Sequence, residues 1–127
     1  MSGDPYSAEV REYFEKPAHA GQLEGVAAAY FEDQGLRIRL TAACEADRIV
    51  ALRFQAHACP HVIAACEAFC RTFENAPVEH LERFNTAQIM RDLAVPAEKT
   101  GRILVLEDTV RSLRAAISDQ QALQPQN

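Results

Sequence analysis

Apolar and polar residues alternate over two stretches near the middle of the chain. In LRIRLTA (36–42), Leu36, Ile38, Leu40 and Ala42 alternate with Arg37, Arg39 and Thr41. In RIVALRFQAH (48–57), Val50, Leu52, Phe54 and Ala56 alternate with Ala51, Arg53, Gln55 and His57. A period of two is the signature of a strand buried on one face. The short polar stretch around Glu45 and Asp47 predicts that the two strands form an antiparallel hairpin, and VAAAYF (26–31) supplies a third strand. One face is apolar and the other carries arginines, so helices should cover only one side of this sheet.

After Cys59 and Pro60 the period changes. Val62, Cys66, Phe69 and Phe73 recur at spacings of four, three and four, which predicts an amphipathic helix of about four turns. Before the sheet, SAEVREYFE (7–15) predicts a helix with Ser7 as its N-cap, Val10, Tyr13 and Phe14 on its apolar face, and Pro17 as its stop. After Pro77, VEHLERF (78–84) and TAQIMRDL (86–93) predict two short helices. Pro96 and Gly101 bracket a loop, and Ile103, Leu106, Val110, Leu113 and Ile117 define the longest helix. The order is one helix, three strands, then helices, which is an α+β layout.

The chain has 127 residues, enough for one domain with its own core. Its 13 basic and 18 acidic residues give a formal net charge of −5, and no concentrated basic face is visible along the sequence, which excludes a general nucleic-acid binder. No apolar run reaches membrane-spanning length and the first ten residues have no signal-peptide core, so the expectation is a cytoplasmic protein with no membrane partner. In that compartment Cys44, Cys59, Cys66 and Cys70 should be reduced thiols.

Cys59 stands out among them. Pro60 suits the first helical position, which puts Cys59 at the N-cap, where the helix dipole favours a thiolate. His57 and His61 flank it, two residues away on either side. Cys66 and Cys70 fall on or beside the apolar stripe of their helix and read as core, while Cys44 sits incidentally at the hairpin end. His19 and His80 read as surface histidines. The set C-x6-C-x3-C with H-x-C-x-H is not a zinc-finger spacing. The serine-hydrolase, phosphate-loop, dinucleotide and HExxH zinc-protease signatures are absent.

In their order and spacing these strings resemble the IscU/NifU N-terminal iron–sulfur cluster assembly scaffolds, from about Tyr6 to Asp119. YSAEVREYFEKP (6–17) is similar to that family's opening helix. RIVALRFQAHAC (48–59) is similar to its last strand, which leads to its second cysteine. VPAEKTGRILVLEDTVRSLRAAISD (95–119) is similar to its chaperone-binding segment and C-terminal helix. The family's cluster site uses three cysteines, an aspartate two residues after the first and a histidine just before the third. The resemblance puts Cys59 at the second cysteine, Glu32 near the first, Asp33 or Gln34 near the aspartate, and Gly101 and Arg102 at the histidine and third cysteine. Pro96 and Lys99 match two positions of the chaperone motif.

The resemblance implies an IscU/NifU-like (SufE/NifU-type) α+β fold, a three-stranded antiparallel sheet with helices packed on one face. The expected organisation is one domain over residues 1–119 and a flexible tail over 120–127. The implied function is that of a scaffold rather than an enzyme. It binds an iron–sulfur cluster, iron or zinc and accepts sulfur through Cys59, with a cysteine desulfurase and an Hsp70-type chaperone as partners. Glu32, Asp33, His57 and His61 are the expected further metal ligands, and Pro96 and Lys99 the expected partner contacts. Since an iron–sulfur cluster usually takes four protein ligands, thiolates above all, Arg102 at a ligand position leaves two alternatives open. One is a relative that acts only through protein contacts, and the other is an acceptor of sulfur on a single thiol.

Overall fold

The computed structural model describes residues 6–123. Helix α1 spans Ala8–Glu15, strands β1, β2 and β3 span Ala27–Asp33, Leu36–Glu45 and Arg48–His57, and helices α2, α3 and α4 span Pro60–Phe73, Thr86–Asp92 and Thr100–Leu123. The three strands form one antiparallel sheet in the order β1-β2-β3. Helix α4 lies over β1 and β2, α2 lies over β3, and α1 packs against α2. The α+β layout and the antiparallel hairpin are thus as the pattern predicts.

Local chemistry explains where most elements begin and turn. Ser7 caps α1, with Oγ accepting from the Val10 N–H at 3.2 Å, and it also donates to the Leu93 carbonyl at 2.8 Å, which ties α1 to the end of α3. The β1–β2 connection uses Gln34 and Gly35, both at positive φ (50° and 82°), the conformation a two-residue hairpin turn requires. The core lies between the inner sheet face and the two long helices. Ile38, Leu40, Leu52 and Phe54 meet Val62, Cys66, Phe69 and Cys70 of α2, and Ile103, Leu106, Leu113 and Ile117 of α4. Burying each large side chain contributes about 1.5–3 kcal/mol, offset by chain entropy.

Five details depart from the sequence pattern. The β2–β3 register pairs Ala43 with Ala51 but Cys44 with Ile49, so β3 carries one extra residue at Val50. A bulge of this kind flips the phase of alternation, and Ile49 is buried while Val50 is exposed. Phe14, expected on the apolar face of α1, is 41% exposed. Residues 78–83 form a 3-10 helix rather than an α-helix. Gly101 does not close a loop, because a 3-10 turn over Ala97–Lys99 runs directly into α4 at Thr100. Of the expected C-terminal tail, residues 120–123 are the last turn of α4, and 124–127 lie outside the described residues.

The outer edge of β3 is covered. The Phe54 N–H donates to the His19 carbonyl at 2.9 Å and the Gly21 N–H to the Phe54 carbonyl at 2.8 Å. Further along, Ile49 exchanges backbone hydrogen bonds with Asn75 and Ala76. These segments blunt an edge that would otherwise invite strand pairing.

Candidate functional site

Cys59 is the N-cap of α2, with extended backbone angles (φ −73°, ψ 163°) and Pro60 immediately inside the helix. Its carbonyl accepts from the N–H groups of Val62 and Ile63, both at 3.1 Å, which starts the helix. Its thiol makes no capping hydrogen bond, and the residue is half-buried, resting against the core. The sulfur is therefore held at a helix mouth without being committed to a structural bond. All four cysteines are free thiols. Cys66 and Cys70 are sealed in the core, where burial pushes both thiols far up from the ordinary range. Cys44 is half-buried at the far end of the sheet, its thiol also raised by burial.

His61, in the first turn of α2, is buried at 2% exposure, with its ring centroid 4.8 Å from that of Tyr6. Among the described residues, neither ring nitrogen has a hydrogen-bond partner. Burial holds the ring below the usual histidine range, the nearby Lys99 cation adds to this, and Glu98 opposes it. These influences place the 98–99 segment beside the start of α2. The imidazole is therefore covered, under the Tyr6 ring.

The remaining candidate residues are dispersed. Glu32 and Asp33 are neighbours on β1 and therefore point to opposite faces of the sheet. Glu32 lies opposite Arg37 and accepts from the Tyr30 hydroxyl at 3.1 Å. Asp33 lines a depression of about 270 Å³ with Gln34, Glu98, Gly101 and Arg102, where the β1–β2 turn meets the start of α4. His57 is exposed and paired with Arg37 across β2–β3. Among the described residues, no group of three or more His, Cys, Asp or Glu side chains converges to hold a metal ion. The turn and the α4 start line this depression together. The polar residues they bring are two carboxylates, an amide and a guanidinium, beside a glycine, which do not fit the thiolate-rich ligand set of an iron–sulfur cluster.

A polar network lies on the other side of α2, where the sequence suggested a surface histidine. His19 is only 15% exposed; its Nδ1 is 2.8 Å from Glu67 Oε2 and its Nε2 is 3.0 Å from Glu74 Oε1. Its backbone N–H donates to Glu67 Oε1 at 2.9 Å. Arg71 donates to Glu67 and Arg53 to Glu74, both at 2.8 Å, and the Leu52 N–H donates to Glu74 at 2.9 Å. The Arg71 guanidinium lies 4.3 Å from the Tyr13 ring. The network pins the 19–21 segment and α1 to α2 and β3. Its signal in the sequence is Glu67, Arg71 and Glu74 at spacings of four and three, a stripe that also fits a solvated helix face.

The family model for the NifU-like N-terminal domain matches residues 5–125. Among solved structures, a NifU-like protein (N-terminal) from Brucella abortus superposes with a TM-score of 0.72 at 14% identity, covering 90% of this chain and 94% of that one. A protein from Fervidobacterium islandicum AW-1, described as an iron–sulfur cluster assembly scaffold for the SUF system, gives 0.67 at 15% identity, covering 87% and 97%. A hypothetical protein gives 0.69 at 21% identity, covering 87% and 95%. These likenesses are of fold. No curated protein matches the sequence significantly.

Proposed function

The chain belongs to the NifU-like N-terminal domain family, and on that premise we propose that it serves iron–sulfur cluster assembly as a scaffold-type sulfur acceptor working through one thiol, Cys59. The observation that carries this reading is the state of that thiol: half-buried at the N-cap of α2, free, and without a capping hydrogen bond. A thiolate is the form that attacks a sulfane sulfur, and this sulfur is not tied up in capping its own helix. The donor is a persulfide on a cysteine desulfurase. The Cys59 thiolate attacks its terminal sulfur, a new S–S bond forms, the donor's S–S bond breaks, and the donor cysteine leaves as a thiolate.

The dispersed ligand candidates support a role that stops short of completing a cluster on this chain alone. Arg102 beside Asp33 puts a cation where a further thiolate would be needed. Any iron or zinc held at Cys59 takes the rest of its ligands from water or from the partner. Pro96 and Lys99, both half-buried in the segment leading into α4, are the contacts proposed for an Hsp70-type chaperone. The absence of a membrane-length apolar helix among the described residues fits a role alongside such partners.

Incubation with a cysteine desulfurase and cysteine, followed by intact-mass and peptide mass spectrometry, tests the reading. One added sulfur should map to Cys59, persist in Cys44→Ser and vanish in Cys59→Ser. Sulfur on Cys44, or none on the wild type, would overturn the proposal.

A further inference from the structure

The sheet face turned away from the helices carries two cationic side chains, Arg37 and Arg39, at neighbouring outward positions of β2. Arg53, Arg71, Arg111 and Arg114 all form ion pairs with glutamates. Arg37 and Arg39, on β2, have no ion-pair partner among the described residues. Arg39 is half-buried, its guanidinium 5.0 Å from the centroid of the Tyr30 ring on β1. Gln55 and His57 flank the two arginines on β3, since Arg39 pairs with Gln55 and Arg37 with His57. Together with Tyr30 these four residues line an open depression of about 350 Å³. One acid, Glu32, borders it opposite Arg37, and its carboxylate accepts the Tyr30 hydroxyl.

We propose that this face docks an acidic segment of a partner protein, with Arg37 and Arg39 taking its carboxylates. Three observations favour that occupant. The chain as a whole carries a net charge of −5, so a cationic face makes it electrically two-sided and orients an acidic partner toward the sheet. Arg39 is already held over Tyr30, so little side-chain freedom is lost when it pairs. The depression is broad and open, which suits a protein surface better than an enclosed small molecule. Neighbouring strands are about 4.8 Å apart and alternate residues about 7 Å apart, so the donors cover the span of a few residues of extended chain. The β1 side is also accessible: in contrast to β3, the free edge of β1 has no backbone partner among the described residues. The docking does not depend on the sulfur reading, although His57, at one end of the face, precedes Cys59 by only two residues.

The test uses the full chain and fluorescently labelled hexaglutamate at low ionic strength, with inorganic diphosphate and a short single-stranded oligonucleotide as competing probes. Saturable, salt-sensitive binding of hexaglutamate is expected, weakened about tenfold or more in Arg37→Gln/Arg39→Gln and unchanged in Arg111→Gln. Amide shifts on titrating the wild type should centre on Tyr30, Arg37, Arg39, Gln55 and His57, a readout that stands even if the double variant folds poorly. No saturable binding, shifts elsewhere, equal binding by the double variant, or tighter binding of diphosphate or the oligonucleotide would overturn the proposal. Self-association that the double variant abolishes would overturn it in favour of a second copy.

Discussion

Glu67→Ala should destabilise the fold by about 3–5 kcal/mol, the usual cost of removing one member of a buried charged network. Glu67 is fully buried, and its carboxylate accepts from the His19 ring, the His19 backbone N–H and Arg71. Deletion strands the His19 ring and backbone N–H in a largely buried site and leaves the more exposed Arg71 without its partner. Burial alone would raise the Glu67 carboxyl; the hydrogen bonds from His19 and Arg71 outweigh it and hold the group below the usual carboxylate range. Glu74 follows the same logic, with burial opposed by Leu52, His19 and Arg53. For carboxylates depressed in this way, the stabilisation is complete above the unfolded value of about 4.5 and is lost as the pH falls through the folded values. Thermal melts from pH 7 to pH 3 should therefore show a steep acid limb for the wild type. Glu67→Gln should show a shallower limb and Glu67→Ala a melting temperature lower by roughly 10–20 °C at pH 7. A Glu67→Ala protein as stable as wild type at pH 7 would show that the network holds nothing together.

Phe69→Ala is the second large effect, at about 3–5 kcal/mol. Phe69 is fully buried in α2 and meets two other rings, Phe73 at 5.3 Å and Phe84 edge-on at 5.6 Å between centroids. Its loss removes the transfer energy of one aromatic side chain and leaves a cavity that the rigid sheet and α4 cannot fill. Phe84 closes the 3-10 segment over Val78–Arg83, so that segment should loosen as well. Phe69→Leu keeps most of the volume and should cost only about 1.5 kcal/mol. Equilibrium urea unfolding of both variants measures the difference, and equal costs for the two would mean that the ring contacts carry no weight.

Periodicity made the frame of this protein readable. The alternation in 36–42 and the stripes on α2 and α4 are direct imprints of one-sided burial, and the N-caps Ser7 and Cys59 follow from side-chain chemistry and from Pro60. Tertiary context hid other features. The extra residue at Val50 leaves no mark on a period of two until the partner strand is in place. Gly101 read as one end of a loop because glycine disfavours helix in isolation, yet the 3-10 turn before it delivers the chain already coiled. His19 finds its carboxylates 48 and 55 residues away, beyond any local pattern. At the site, the position of Cys59 was legible from sequence. His57 and His61 were candidates by proximity along the chain and Glu32 by the resemblance, but strand alternation sends Glu32 and His57 to the outer sheet face, and helix packing buries His61.

We propose a NifU-like fold in which Cys59 alone is offered as a cluster ligand. Anaerobic reconstitution with ferrous iron and sulfide, followed by desalting, visible absorption and iron analysis, tests it most directly. The expected result is a colourless wild-type chain with far less than one 2Fe–2S cluster bound. A stable coloured protein holding about two irons per chain, and bleached by Cys59→Ser, would contradict it.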